Sequence, residues 1–290
     1  MEHTQYETYH ETKVHASPDF PYNTYLCTIP LDFNFVPVHW HDEAEIIVIK
    51  KGMGIIRVDL VPFEASAGDI VFVLPGQLHS IEQKEDFVME YENILFKPDM
   101  LTSKGQDFCN DNFIRPLFDG MVNFPSYIDK SKDCHAEVSS CIADIDNISS
   151  DRPFGYQLLI KSYLLRIAFL LLANHSVNTH SIKRKKTLDK IKMVLSYIRE
   201  HYSDIISVQD MAELCHYSQS HFMKFFKNAM GMGFTQYLND YRLEIAGKML
   251  LATSNSILDI AMETGFDNLS YFNRMFKRKY GVTPGRYRKT

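Results

Sequence analysis

Four side chains in the first third of the chain have the types and spacing of a metal centre. His39, His41 and Glu45 fall in the run His39-Trp40-His41-x3-Glu45-x6-Gly52. His79 closes a second run, Gly68-Asp69-x5-Pro75-Gly76-x2-His79. Three imidazoles and a carboxylate suit a divalent cation. On an extended strand, positions 39, 41 and 45 share parity and face one side. The same four groups could instead contact a polar ligand directly, or bond to backbone. Trp40, Phe33 and Phe35 offer aromatic faces for a sugar ring, a role that competes with ordinary core packing.

A second chemistry lies in the last hundred residues, where one pattern occurs twice. The chain reads VQDMAELCHYSQSHFMKFFK from Val208 and ILDIAMETGFDNLSYFNRMFK from Ile257. Each copy predicts a short apolar helix, a tight turn and a second helix with a Phe-x3-Phe stripe and a basic end. Phe222 and Phe226 match Phe272 and Phe276, and Lys224-x2-Lys227 matches Arg274-x2-Lys277. The second copy has one more residue in its turn. A helix-turn-helix unit of this kind lays its second helix in a DNA major groove. With the phenylalanines turned to the core, the surface left is Gln219, Ser220, Met223 and Lys224 in the first copy. In the second it is Leu269, Ser270, Asn273 and Arg274. Side-chain chemistry points Arg274 and Lys224 to guanine edges, and Asn273 and Gln219 to adenine. Lys227, Lys277, Arg278 and Arg288 suit phosphates, which position without specifying sequence.

Charge divides along the same line. The net charge of -5 is made of a C-terminal part, residues 181–290, with 18 Lys and Arg against 10 Asp and Glu, and an acidic remainder. The basic part attracts phosphates and the acidic part avoids them. Five scattered cysteines, Cys27, Cys109, Cys134, Cys141 and Cys215, form no Cys-x2-Cys pair, which argues against thiolate zinc and for a reducing cytoplasm. The polar, acidic start lacks a signal-peptide pattern. The most apolar stretch, Leu158 to Ala173, is broken by Lys161 and Arg166, so it reads as a buried or interfacial helix and not a membrane span.

These groups need elements to hold them. Residues 20–97 predict short antiparallel strands, among them 45–49, 54–58, 69–74 and 89–96, closing into a sandwich or barrel. A short helix is expected near 107–118, and longer ones near 133–148 and 154–174 from apolar positions recurring at three and four. That leucine-rich pair predicts a homodimer interface, or else packing on the protein's own barrel. Residues 175–187 are polar and aperiodic and read as a linker between an N-terminal domain, 1–174, and a C-terminal one, 188–290. A helix near 188–202 supports the first unit. Another near 234–252 joins the two units and spans about 28 Å, close to one duplex turn of about 34 Å.

The C-terminal region, about 187–289, resembles the AraC/XylS family of bacterial transcription regulators. The resemblance is carried by Ile260-Ala261-x3-Gly265-Phe266-Asp267-x2-Ser270-Tyr271-Phe272-x3-Phe276-Lys277-x3-Gly281-x-Thr283-Pro284-x2-Tyr287-Arg288 and by the joining segment GMGFTQYLNDYRLEIAGKML. His216 departs from it, standing where the first unit usually carries Gly. The resemblance implies that the outward positions named above face the groove. Residues 30–97 resemble the cupin superfamily, with Pro75 and Gly76 adjacent where catalytic cupins have an intervening residue. The expected fold class is therefore α+β multidomain: a cupin-like antiparallel barrel with flanking helices, then an all-α domain of two helix-turn-helix units joined by a long helix. The implied function is effector-responsive, sequence-specific DNA binding, controlling carbohydrate-utilisation genes. The implied partners are double-stranded DNA, a sugar effector bound by His39, Trp40, His41, Glu45 and His79, a second copy of the chain, and RNA polymerase. No cofactor is required by this reading, though the barrel suits a divalent metal. The competing class is a metal-dependent cupin enzyme, of oxygenase or sugar isomerase type, carrying a DNA-binding tail.

Overall fold

The computed structural model describes residues 20–32, 35–103, 105–174 and 181–289. It divides into two compact units, Met1–Ser181 and Ile182–Thr290.

The first unit is antiparallel. Its strands are β1 Tyr22–Ile29, β2 Phe35–His39, β3 Ala44–Val58, β4 Val61–Ser66, β5 Ile70–Val73, β6 His79–Gln83, β7 Met89–Phe96 and β8 Tyr127–Ile128. One layer runs β1-β7-β3-β5-β8. In the other, β2 pairs with β6, and β6 and β4 flank β3. The two runs expected at 45–49 and 54–58 are one strand. The first half of β3 pairs with β5 and β7, and its second half with β4 and β6. The crossing falls at a register shift between Ile49 and Lys51, followed by Gly52 at φ +72°. A Cβ on Gly52 would sit 1.8 Å from the Val88 carbonyl oxygen, so only glycine fits where the strand changes layer.

Both faces of this sheet are covered, which is why its strands read as unbroken apolar runs. Ala44, Ile46 and Val48 of β3 join Ile94 and Phe96 of β7 against the helices. Ile47 and Ile49 point the other way, into a barrel interior filled by Val36, Ile56, Val71, Ile81, Met89 and Tyr91. A π-helical turn, Asn110–Ile114, leads into α1, Arg115–Phe118. The flanking hairpin is α2, His135–Asp151, and α3, Tyr156–Ala173. α3 is long and apolar enough to cross a membrane by composition alone, but one face of it, with Ile160, Leu164, Ile167 and Leu171, lies in the core shared with the sheet.

The second unit is helical: α4 Ser181–His201, α5 Val208–Leu214, α6 Gln219–Met230, α7 Phe234–Ala252, α8 Ile257–Glu263, α9 Leu269–Tyr280 and α10 Pro284–Tyr287. The linker expected at 175–187 is in part helical. Residues 175–180 lie outside the described residues, and 181–187 belong to α4, because the lysine-rich run that reads as aperiodic is made of good helix formers. Capping fixes the other ends. Ser207 and Asp210 form a capping box at α5, Ser218 caps α6, Ser256 caps α8 and Asn268 caps α9. Gly231 and Gly281, both at φ +74°, end α6 and α9.

Candidate metal centre and nucleic-acid interface

His39, His41, Glu45 and His79 come together at one end of the barrel. Strand parity alone does not bring them there, since His39 ends β2, His41 lies in the connection, Glu45 is in β3 and His79 opens β6. The β2–β6 register sets His39 opposite His79, and the Gly76 amide donates to the His41 carbonyl at 2.7 Å, fastening the first motif to the second. All four side chains are buried, with His41, Glu45 and His79 at most 2% exposed.

Each imidazole donates its Nδ1 proton to a backbone carbonyl: His39 to Pro37 at 2.9 Å, His41 to Glu43 at 3.0 Å and His79 to Gln77 at 3.0 Å. With Nδ1 committed in this way, Nε2 is the atom that meets Glu45 in His41 and His79. The histidine ligand atoms lie within 4.8 Å of one another. Glu45 Oε2 is 3.2 Å from His41 Nε2 and 2.9 Å from His79 Nε2, and the latter approach lacks hydrogen-bond geometry. Burial, then the neighbouring His79 and His41, push the His39 imidazole well below its ordinary pKa, which favours its neutral form. Burial alone would raise Glu45, but the neighbouring His79 and His41 outweigh it and hold the carboxyl well below its usual range. Carbonyl-oriented histidines around a carboxylate are the second-shell arrangement of a divalent-metal site, and the residues present fit one. Trp40 is half-buried, Phe35 is 47% exposed, and Phe33 lies outside the described residues.

In the second unit the two copies fold alike. Phe222, Phe226, Phe272 and Phe276 are fully buried, pinning α6 and α9 against their supports. Phe226 packs edge-on against Phe234 and Tyr237 of α7, and Phe276 against Tyr287 of α10. The opposite faces are open. Gln219, Ser220, Met223, Lys224 and Lys227 are exposed on α6, as are Ser270, Arg274, Lys277 and Arg278 on α9, with Asn273 half-buried. Leu269 is half-buried against its own unit's core. Arg288 Nη2 donates to the Asn255 carbonyl at 2.5 Å, which gives it a tethering role within the fold.

The structure adds residues that motif reading missed. Arg274 lies over the Tyr271 ring at 5.4 Å, and the Tyr271 hydroxyl accepts from Asn239 Nδ2 of α7 at 3.0 Å. Buried Arg242 donates to the Tyr202 and Asp204 carbonyls at 2.7 Å each, tying α7 to the end of α4. Polar residues within the apolar stripe of α7 are the only sequence signal for either. The turns also correspond: Gly265 has φ +81° and His216, at the matching place, φ +55°.

A cupin-like barrel with flanking helices, followed by two helix-turn-helix units on a common spacer, defines a DNA-binding transcriptional regulator with a ligand-binding domain. Comparison with known proteins agrees. The AraC-like ligand-binding domain matches residues 29–108, and a helix-turn-helix domain matches residues 211–290. An HTH-type transcriptional regulator of Bacillus subtilis, YdeC, is 23% identical over 281 residues, covering 96% of this chain and 95% of its own. The HTH-type transcriptional activator RhaR of Yersinia pestis is 25% identical over 253 residues, covering 86% and 83%. Among solved structures, fatty-acid-bound ToxT of Vibrio cholerae is 14% identical with a TM-score of 0.37, covering 92% of this chain and 94% of its own. The chain belongs to the AraC family of regulators with an N-terminal ligand-binding domain.

Proposed function

We propose that this protein is an effector-responsive activator of carbohydrate-utilisation genes, acting in the cytoplasm as a homodimer and reading two successive major-groove segments with each subunit. One observation carries the DNA reading. Both second helices are pinned by buried phenylalanine pairs and turn polar and basic side chains outward, and the 19-residue α7 lies between the two units. Gln219, Ser220, Met223, Lys224, Ser270, Asn273 and Arg274 read base edges. Lys227, Lys277 and Arg278 hold phosphates, with Leu269 and Arg288 at the margin of the contact. Relatives named as transcriptional activators support activation, with RNA polymerase as a partner. The carbohydrate class rests on the resemblance to the family's sugar-responsive branch.

The dimer reading rests on α3. Leu158, Ser162, Leu165, Phe169 and Leu172 recur at spacings of four and three, and Leu158 and Phe169 are 74% and 65% exposed. That is the repeat of a two-helix seam. For the barrel cluster, near-complete burial favours an ion over direct contact with a sugar. His39, His41, Glu45 and His79 would hold a divalent metal, which supplies a Lewis-acidic charge joining β2, β3 and β6.

The test is binding of the full-length protein to an enriched duplex across a salt series. Lys277→Ala should weaken every sequence about equally and lower the salt slope by roughly one unit. An unchanged slope removes Lys277 from the phosphate set, and no preference over random duplex overturns the function. Elemental analysis should find one divalent metal per chain, lost in His39→Ala with His41→Ala; absence from the wild type overturns the metal reading.

A further inference from the structure

We infer that Arg242 and Gly265 fix the two reading helices relative to each other, and so set the spacing between DNA elements that the protein accepts. The inference rests on the reading of α6 and α9 as the base-contacting helices, and it names the residues that position them. Each reading helix packs on its own stretch of α7. Phe226 of α6 meets Phe234 and Tyr237. Phe272 and Phe276 of α9 share a buried cluster with Leu243, Ala246 and Leu250. A spacer gripped at two separate stretches leaves each unit able to rock about its own contact. Arg242 falls between those stretches and bonds to neither reading helix.

The Arg242 guanidinium donates from Nε to the Tyr202 carbonyl and from Nη2 to the Asp204 carbonyl, both at 2.7 Å. These carbonyls lie between the end of α4 at His201 and the N-cap of α5 at Ser207, so they lead directly into the first helix-turn-helix unit. A cation there also suits the carbonyl end of α4. The same guanidinium faces the turn of the second unit, with Cζ 6.0 Å from the centre of the Phe266 ring. One planar group therefore bridges the entry to the first unit and the turn of the second. Its donors form a rigid fork, so two carbonyls held by it are held in direction as well as distance. Arg242 is 9% exposed and acts on DNA recognition only through the helices it joins.

Gly265 shows how close the approach is. A Cβ at that position would stand 2.7 Å from the Tyr202 carbonyl oxygen and 2.9 Å from Arg242 Nε. Its φ of +81° does not by itself exclude a side chain, since His216 takes φ +55° at the matching place in the first unit. The first turn leaves an exposed imidazole in solvent, and the second has no room for a methyl group. The two copies differ here because the second turn is pressed against Tyr202 and Arg242. Spacing selectivity follows from that contact. Moving one DNA element by a base pair turns it about 35° around the duplex axis. Two helices held rigidly can engage both elements at one spacing, whereas two helices held by α7 alone would tolerate several.

The experiment measures binding of the full-length protein to a selected bipartite duplex, to versions with the elements moved by one and two base pairs, and to versions with either element scrambled. The wild type should lose about tenfold or more in affinity at a two-base-pair shift. Arg242→Met keeps the aliphatic stem and the helix propensity but removes both hydrogen bonds. It should cut the spacing penalty to about threefold or less, with affinity for each single-element duplex within about twofold of wild type. Arg242→Lys, which restores one donor head, should fall between them. Gly265→Ala, which forces the turn away from Tyr202, should relax spacing in the same direction, and it keeps the test open should Arg242→Met fold poorly. The inference is overturned if the penalty is unchanged in Arg242→Met and Gly265→Ala. It is also overturned if single-element and bipartite binding fall together, as a general loss of folded protein would cause. A wild type that selects no bipartite site would instead strike the DNA reading, so the two failures are distinguishable.

Discussion

Arg274 stands exposed on α9 over the Tyr271 ring, whose hydroxyl is held by Asn239 of α7. A guanidinium supported in this way is suited to a bidentate contact with guanine. Arg274→Ala should cost about 1–3 kcal/mol at the specific site and relax sequence choice; unchanged discrimination in a competition series removes it from the reading set. At His216 the backbone takes a left-handed conformation, φ +55°, that glycine adopts without strain. His216→Gly should therefore stabilise the protein by about 0.5–1 kcal/mol in urea unfolding, and a loss of stability would show that the imidazole makes a contact worth more than the strain. Protonation follows from the barrel cluster. His39 is pushed down from 6.5, first by burial, so as pH falls below 6.5 the unfolded chain takes up its proton first. The metal-free fold then loses stability down to the lowered folded value. Glu45 acts in the same direction at lower pH, since its contribution is present above its unfolded value and lost as pH falls through the depressed folded one. Metal-free protein should be less stable at about pH 5 than at about pH 7.5, by an amount that His39→Gln reduces; a flat profile contradicts the neutral, buried imidazole. The four residues of that cluster were legible from type and spacing. The ion cluster of Lys50 in β3, Glu92 in β7 and Asp146 in α2 was not, because ion pairs between residues more than forty positions apart leave no local pattern.

The elements were legible where periodicity was strong and hidden where one element serves two layers. The helix α3 follows from three-and-four spacing, and α7 falls at Phe234–Ala252 as the sequence predicts. In sequence β3 reads as two strands, because Lys50-Lys51-Gly52 has the composition of a turn. Its pairing with β5 and β7 on one side of Gly52 and with β4 and β6 on the other could be found only in three dimensions. The start of α4 is hidden for the opposite reason, since a run of lysines carries no apolar period. α3 bears its own prediction. Leu158→Glu with Phe169→Glu puts charges on two exposed seam positions, so sedimentation should show monomer in place of dimer with the midpoint of thermal unfolding little changed. A dimer that persists would move the interface elsewhere.

At the scale of the molecule, the two units divide the chemistry as they divide the charge. The acidic unit holds the buried cluster of His39, His41, Glu45 and His79, and the basic unit exposes the polar and basic faces of α6 and α9. An effector can bias DNA binding only by differing in affinity for two states of the whole protein. The part on which everything else depends is the pair of reading helices joined by α7. The most direct measurement is selection of duplexes from a random pool by the full-length protein at moderate salt. Recovery of a bipartite site, its two elements about 10 base pairs apart centre to centre, is the predicted result. Recovery of a single element, or of no sequence above random competitor, would contradict it.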